Sequence, residues 1–360
     1  MGERIRALRI LAGPSARAQL RERGLHPQDV RVIPAAAGGP KGLALNPLDR
    51  YLFGHWLPRS SHTVHLVGAS IGAWRMAAAC LEDADHALQR LAEDYIQSDY
   101  SRADGRVPTP RSVSQDFADT LHRHFEGRQA DLLAHPHWRL HVVTSRGRHL
   151  LRREGRFSTP LGFMTAFAAN AVSRRALGGW MERVVFSDGR EALPLPLTDF
   201  RTRTVRLDAG NLVPAVMASC SIPFWMQAVH DIPGAPPGAY WDGGITDYHL
   251  HWRYDGLGDG LALYPHFQAA VVPGWLDKSL RHRHRATPAL DRLVVLAPNP
   301  DWVETLPGGK LPDRGDFKRY GTDLKARQAA WRGAVSQGQR LADEFAALVE
   351  SSSSIEAEAL

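Results

Sequence analysis

Residues 63–81 read TVHLVGASIGAWRMAAACL, an apolar β-like run, a serine between two glycines and an apolar helical run with no break between them. The pattern predicts a buried strand over 63–67 and a helix over 71–81. Between them Gly68-Ala69-Ser70-Ile71-Gly72 has the form G-x-S-x-G. A strand-to-helix turn this sharp forces its central residue into a strained backbone conformation, and a glycine two positions to either side leaves room for it. The Ser70 hydroxyl is then held out at the sheet edge, at the amino end of a helix, where unpaired N–H groups favour an oxyanion. Ser70 therefore reads as a nucleophile. The plain alternative is a glycine-rich turn whose serine caps the helix.

The same order stands just upstream, with a strand expected over 29–36 (DVRVIPAA) and a helix over 41–57. Two strand-then-helix units in a row argue for an α/β fold with a mainly parallel sheet, helices on its faces and a ligand site at the carboxyl ends of the strands. The first connection is Ala36-Ala37-Gly38-Gly39-Pro40-Lys41-Gly42. Its glycines let main-chain N–H groups converge on one anion, as the oxyanion of an acyl-transfer intermediate requires. Pro40 has no N–H, so the donors are to be found among Ala37, Gly38, Gly39 and Lys41. A phosphate-binding P-loop needs G-x-x-x-x-G-K-[ST], and here the lysine precedes its glycine with no hydroxyl after it.

Further along, helices are expected over 84–98, 113–125, 164–178 and 324–348, and strands over 139–145, 183–187, 204–207, 238–241 and 292–297. Residues 212–229 carry no charge, but Pro214 and Pro223 with Ser219, Ser221 and Gln227 make them a buried helix and loop instead of a membrane span. The chain has 360 residues, 44% apolar and 23% charged, enough to bury a sizeable core. Two cysteines, Cys80 and Cys220, supply neither a disulfide framework nor a zinc site. Charges at Glu3, Arg4, Arg6 and Arg9 break the apolar run a secretory signal needs. A reduced, cytoplasmic location is expected, with peripheral membrane contact left open.

Late in the chain Tyr240-Trp241-Asp242-Gly243-Gly244 ends a β-like segment on an acid and two glycines. Alone it reads as an ordinary tight turn. Together with the glycine loop and the G-x-S-x-G turn, in that order, it resembles the patatin-like phospholipase family, whose pattern is G-G-G-x-[KR]-G, G-x-S-x-G and D-G-[GA]. Ala218-Ser219-Cys220-Ser221-Ile222-Pro223 is similar to the family's A-S-x-[AS]-x-P segment. The resemblance runs over residues 31–247. Ala37 stands in place of the first glycine of the triple; an alanine keeps its N–H, while its Cβ narrows the approach.

The resemblance implies a three-layer α/β/α sandwich and a serine acyl hydrolase of phospholipase A or lysophospholipase type acting on lipid acyl esters. Ser70 is then the nucleophile, Asp242 the general base, and Ala37, Gly38, Gly39 and Lys41 the oxyanion hole. Gly42, Gly68, Gly72, Gly243 and Gly244 shape the turns. Neither a cofactor nor a metal is called for. Residues 1–30 are expected as a helical lead-in, 31–350 as the hydrolase domain (a motif-bearing core over 31–247 and a C-terminal extension over 248–350), and 351–360 as a flexible tail.

Competing readings keep Ser70 but change its company: a Ser-His-Asp esterase, for which His249 is the candidate base, a transacylase with the same dyad, or a catalytically silent lipid-binding scaffold. The i,i+2 histidine pairs His122/His124, His135/His137, His249/His251 and His282/His284 lack the converging ligands of a metal site. The run Arg281-His282-Arg283-His284-Arg285 is either a solvated loop or a basic patch for an anionic membrane surface, and no nucleic-acid-binding module accompanies it. Trp225, Trp241, Trp252, Trp275 and Trp302 suit an acyl-chain pocket as well as a core.

Overall fold

The computed structural model describes residues 5–99, 108–351 and 353–360. Among them eleven strands form one sheet: β1 (Leu8–Ala12), β2 (Val30–Ala35), β3 (Val64–Ala69), β4 (Trp138–Gly147), β5 (Met181–Asp188), β6 (Thr202–Leu207), β7 (Val229–His230), β8 (Ala239–Trp241), β9 (Leu261–Pro265), β10 (Leu293–Pro298) and β11 (Glu358–Ala359). The order is β11-β1-β10-β9-β2-β3-β4-β5-β6, with β8 pairing β4 and β7. From β10 through β9, β2 and β3 to β4 every pairing is parallel. Apart from the exposed Arg31 in β2, these central strands are buried on both faces, as parallel strands under helices must be. The fold is a mostly parallel sheet flanked by helices.

This topology brings distant loops together. β2 and β3 lie side by side with Ala35 opposite Gly68, so the glycine loop and the serine turn leave the same end of neighbouring strands. β4 flanks β3 on its other side, with Ala69 opposite Val143. Antiparallel pairing of β8 on β4, with Trp241 opposite Ser145, then carries Asp242 to the same place.

Five elements differ from the sequence reading, among them the helix expected over 164–178, which runs Ser158–Val172 and stops at the extended Ser173 before a short helix Arg174–Leu177. The N-terminal lead-in is not wholly helical: β1, antiparallel to β10, precedes the helix Pro14–Arg23. The Glu344 carboxylate fixes the entry to β1 by accepting the Ala7 and Leu8 N–H groups. The expected flexible tail is docked: Glu358–Ala359 adds to the free side of β1, Ile355 is buried, and the Glu358 carboxylate binds Arg9. Residues 261–265 carry no strand in the sequence reading, yet β9 sits near the sheet's middle; five apolar residues are too few to display a period. The helix expected over 41–57 is a relay of 3-10, α and π turns from Gly39–Leu45 to Leu52–Trp56. Pro40 and Pro47 are the second residues of two of these segments, within the first turn, where a missing N–H costs least.

Candidate active site

Ser70 links β3 to the helix Ile71–Ala79 with φ 57 and ψ −129, a positive φ that a side chain tolerates only when its surroundings hold it. Room for that turn comes from the flanking glycines. A Cβ on Gly72 would stand 2.0 Å from the Ala35 carbonyl oxygen, and one on Gly68 2.4 Å from the Ala73 backbone. A third residue clamps the turn. The Ser219 hydroxyl accepts the Ser70 N–H at 2.9 Å and donates to the Val143 carbonyl at 2.6 Å, tying the serine loop to β4.

Asp242 and Ser70, 172 residues apart, meet inside the protein: the Ser70 Oγ donates to Asp242 Oδ2 at 2.6 Å. Both side chains are buried. The Asp242 N–H donates to the Ser221 carbonyl and the Gly243 N–H to that of Ser219, so the 219–221 segment holds both members of the pair. A Cβ on Gly243 would strike the Val143 carbonyl at 2.1 Å. The Gly244 N–H donates to Asp242 Oδ1 at 2.7 Å. Burial raises the Asp242 pKa above the usual aspartate range, partly offset by the Ser70 hydroxyl, the Arg314 charge and the Gly244 amide. Hydroxyl and carboxylate are thus in direct contact, and burial raises the basicity of the carboxylate.

The glycine loop closes the site from β2. Gly39 takes φ 56, a conformation suited to glycine, and Gly38 lies against the Phe267 ring. Gly42 has only ordinary van der Waals neighbours, so nothing in its surroundings demands a glycine. Ala37 departs from the expectation. Its N–H is spent on the Tyr248 carbonyl at 2.9 Å, so it is no free donor for an oxyanion. Gly38, Gly39 and Lys41 remain at the mouth of the turn.

Two cavities meet here. One, of about 560 Å³, reaches Gly39 and Ser70 and is walled by Trp74, Phe117, Trp225 and Phe317. The other, of about 240 Å³, reaches Asp242, Ala37 and Gly38 and carries Lys41, Lys278 and Arg314. Ile222, Pro223, Trp275 and Arg314 belong to both. Among the described residues none of these three cations forms an ion pair with a carboxylate. Lys41 lies 5.0 Å from the Phe267 ring centroid and Lys278 4.6 Å from that of Tyr248. Burial, then the Lys41 and Arg314 charges, push the Lys278 pKa down to about 8.

The other residues singled out by sequence distribute between site and core. Trp225 and Trp275 line the cavities, whereas Trp241, Trp252 and Trp302 are buried in the core. His249 is fully buried: its Nδ1 accepts the Val272 N–H at 2.9 Å and its ring stacks on Tyr248. Burial holds its pKa well below the ordinary value. No described histidine hydrogen-bonds to Ser70 or Asp242. Within the basic run, Arg283 binds Asp277 and the carbonyls of Asn170 and Ala171. No group of three or more potential metal ligands occurs among the described residues, and no described helix is long and apolar enough to cross a membrane. Sequence reasoning gives neither Ser219 nor Arg314 a role; the A-S-x-[AS]-x-P likeness is the available signal for the first.

A family model described as patatin-like phospholipase matches residues 55–249, more than half of the chain. That span holds Ser70, Ser219 and Asp242; the glycine loop precedes it, and Lys278 and Arg314 follow it. No curated protein matches the sequence. Among solved structures, VipD from Legionella pneumophila is 11% identical, with 96% of this chain and 71% of VipD covered and a TM-score of 0.36. The type III effector ExoU is 14% identical, with 93% of this chain and 59% of ExoU covered and a TM-score of 0.30, so the chain spans less than two thirds of that protein.

Proposed function

The chain belongs to the patatin-like phospholipase family, and from that premise we propose that it hydrolyses fatty-acyl esters of lipids through a Ser70-Asp242 dyad. The observation that carries the reading is the 2.6 Å hydrogen bond from the Ser70 hydroxyl to a buried carboxylate whose basicity is raised. As Ser70 Oγ attacks the ester carbonyl carbon, its proton passes to Asp242 Oδ2. The carbonyl oxygen becomes an oxyanion and takes hydrogen bonds from backbone N–H groups of Gly38, Gly39 and Lys41. Collapse breaks the bond to the alcohol, which leaves with the proton from Asp242. Water then repeats the sequence on the acyl-enzyme, giving up a proton to Asp242, releasing the fatty acid and restoring the serine.

The two cavities divide the substrate. The aromatic cavity beside Ser70 suits the acyl chain, and the cation-lined one suits the alcohol portion. Three cations that form no ion pair among the described residues favour an alcohol carrying a phosphate over a neutral glyceride. Labelling with a fluorophosphonate probe tests the dyad. The adduct is expected on Ser70 in the wild type, with labelling and ester hydrolysis both lost in Asp242→Asn. Hydrolysis that survives Ser70→Ala, or labelling that persists in Asp242→Asn and vanishes in His249→Ala, would overturn it.

A further inference from the structure

The helix Ser158–Val172 turns an apolar face to solvent. Leu161, Met164, Phe167, Ala168, Ala171 and Val172 are exposed at steps of three and four residues, one continuous helical stripe that Phe157 extends. Its opposite face, with Phe163, Ala166 and Asn170, is buried. A surface helix normally reverses this, with charge outside. Here residues 158–173 contain no charged side chain at all.

The feature is concentrated. Among the described residues, eight of the nine large hydrophobic side chains that are exposed lie in or beside this helix or at the mouth of the cavities; Ile5 alone stands elsewhere. Phe224, exposed at the mouth of the aromatic cavity, packs edge-on against Phe163 at 5.6 Å. Trp275, exposed and shared by both cavities, begins a turn whose Asp277 accepts the Asn170 side-chain amide at 2.8 Å. The helix that carries the stripe is therefore docked, through its buried face, against residues at the entrance to the site.

Basic residues rim the stripe. Arg152, Arg153 and Arg156 precede the helix, Arg175 follows it, and all four are exposed without an ion pair among the described residues. Arg283 binds the helix's last carbonyls and so anchors the 281–285 run to this end, leaving Arg281 and Arg285 exposed there. Apolar centre, cationic rim and a helix docked beside a lipid-sized cavity select one occupant. An uncharged peptide groove would match the centre alone; an anionic bilayer matches both.

We infer that the helix Ser158–Val172 is an interfacial anchor that lies in the headgroup layer of an anionic bilayer and opens the cavity mouth onto the lipid. It rests on the lipid-ester reading only in the choice of a lipid surface. The helix lies along the membrane and does not span it, since 15 residues reach only about 22 Å.

Flotation of the full-length Ser70→Ala protein with phosphatidylcholine vesicles, with and without phosphatidylserine, tests the anchor apart from catalysis. Binding to the mixed vesicles is expected, weaker binding to the neutral ones, and a loss of about tenfold or more in Leu161→Gln/Met164→Gln/Phe167→Gln. These side chains are outside both cavities, so with Ser70 restored the triple variant should hydrolyse a soluble short-chain ester normally and fail on vesicles. Failure of the wild type on the soluble ester would count against the dyad and leave the flotation result standing. Undiminished vesicle binding by the triple variant, absence of binding to either vesicle, or a solution dimer that the triple variant dissociates would overturn the anchor, the last by showing that a second copy covers the face.

Discussion

Asp242 and Asp247 are both buried and lie five residues apart, yet they occupy opposite electrostatic settings. Asp247 receives Arg183 through two nitrogens, at 2.7 and 2.5 Å, and the Trp252 indole N–H at 2.7 Å. Asp242 receives a hydroxyl at 2.6 Å and an amide at 2.7 Å, and no described cation forms an ion pair with it. Neutral donors satisfy the oxygens without cancelling the charge, so desolvation raises the Asp242 pKa. A carboxylate fully matched by a guanidinium holds the fold; one left unmatched is available for chemistry.

The sharpest way to break this contrast is to neutralise each acid in turn. Asp242→Asn is expected to cut hydrolysis by roughly 10³-fold, the contribution of a general base, with the melting temperature unchanged or raised because a poorly compensated buried charge is gone. Asp247→Asn strands the Arg183 cation with Asp199 as its remaining carboxylate, and is expected to cost about 3 kcal/mol of stability while the folded fraction keeps its activity. Thermal denaturation beside kcat/KM for both variants decides it. Equal loss of stability in the two would erase the distinction.

A smaller effect should come from the neutral scaffolding on the Asp242 side. Ser219→Ala removes a hydroxyl that serves both the Ser70 N–H and the Val143 carbonyl, leaving two buried polar groups without it. The expected loss in kcat/KM is about tenfold to a hundredfold, matching the roughly 1 to 3 kcal/mol of an unsatisfied buried group. Labelling of Ser70 by the fluorophosphonate probe should slow in proportion, since the turn that presents the hydroxyl is loosened. Unchanged labelling would mean that the glycines alone hold the turn.

Ser219 also marks where the sequence stops being legible. The parallel core was readable because β2, β3 and β10 are apolar runs followed or preceded by turn residues, and the serine turn because its two glycines answer a local steric demand. Asp242 looked like an ordinary turn acid, since its partner is 172 residues away and local pattern carries no information about that meeting. The fate of the Ala37 N–H is hidden for the same reason: its acceptor is the carbonyl of Tyr248, 211 residues away at the end of the short helix Gly244–Asp247. β11 exists because β1 offers an unpaired edge, and Arg314 reaches the site from a loop with no periodicity of its own. What local sterics determine was readable, and what tertiary meeting determines was visible only through the ordered set of motifs.

The mildest expected effects lie in the pH profile, where Asp242 and the cations of its cavity act together. Asp242 must be ionised to accept the Ser70 proton, so kcat/KM should fall as pH drops through its raised pKa, placing the acid limb above that of an ordinary aspartate. The Arg314 charge lowers that pKa, so Arg314→Gln should move the acid limb toward neutral pH. On the alkaline side Lys278 loses its charge above about pH 8. KM for a phosphate-bearing ester should then rise by a factor of a few, the scale of one exposed charge contact, while KM for a neutral ester stays level. Lys278→Met should remove that alkaline rise and leave the acid limb in place, because Lys278 is not among the groups that shift Asp242. An alkaline limb common to both esters and unmoved by the substitution would assign it to another group and leave the cationic cavity without a part in binding the alcohol portion.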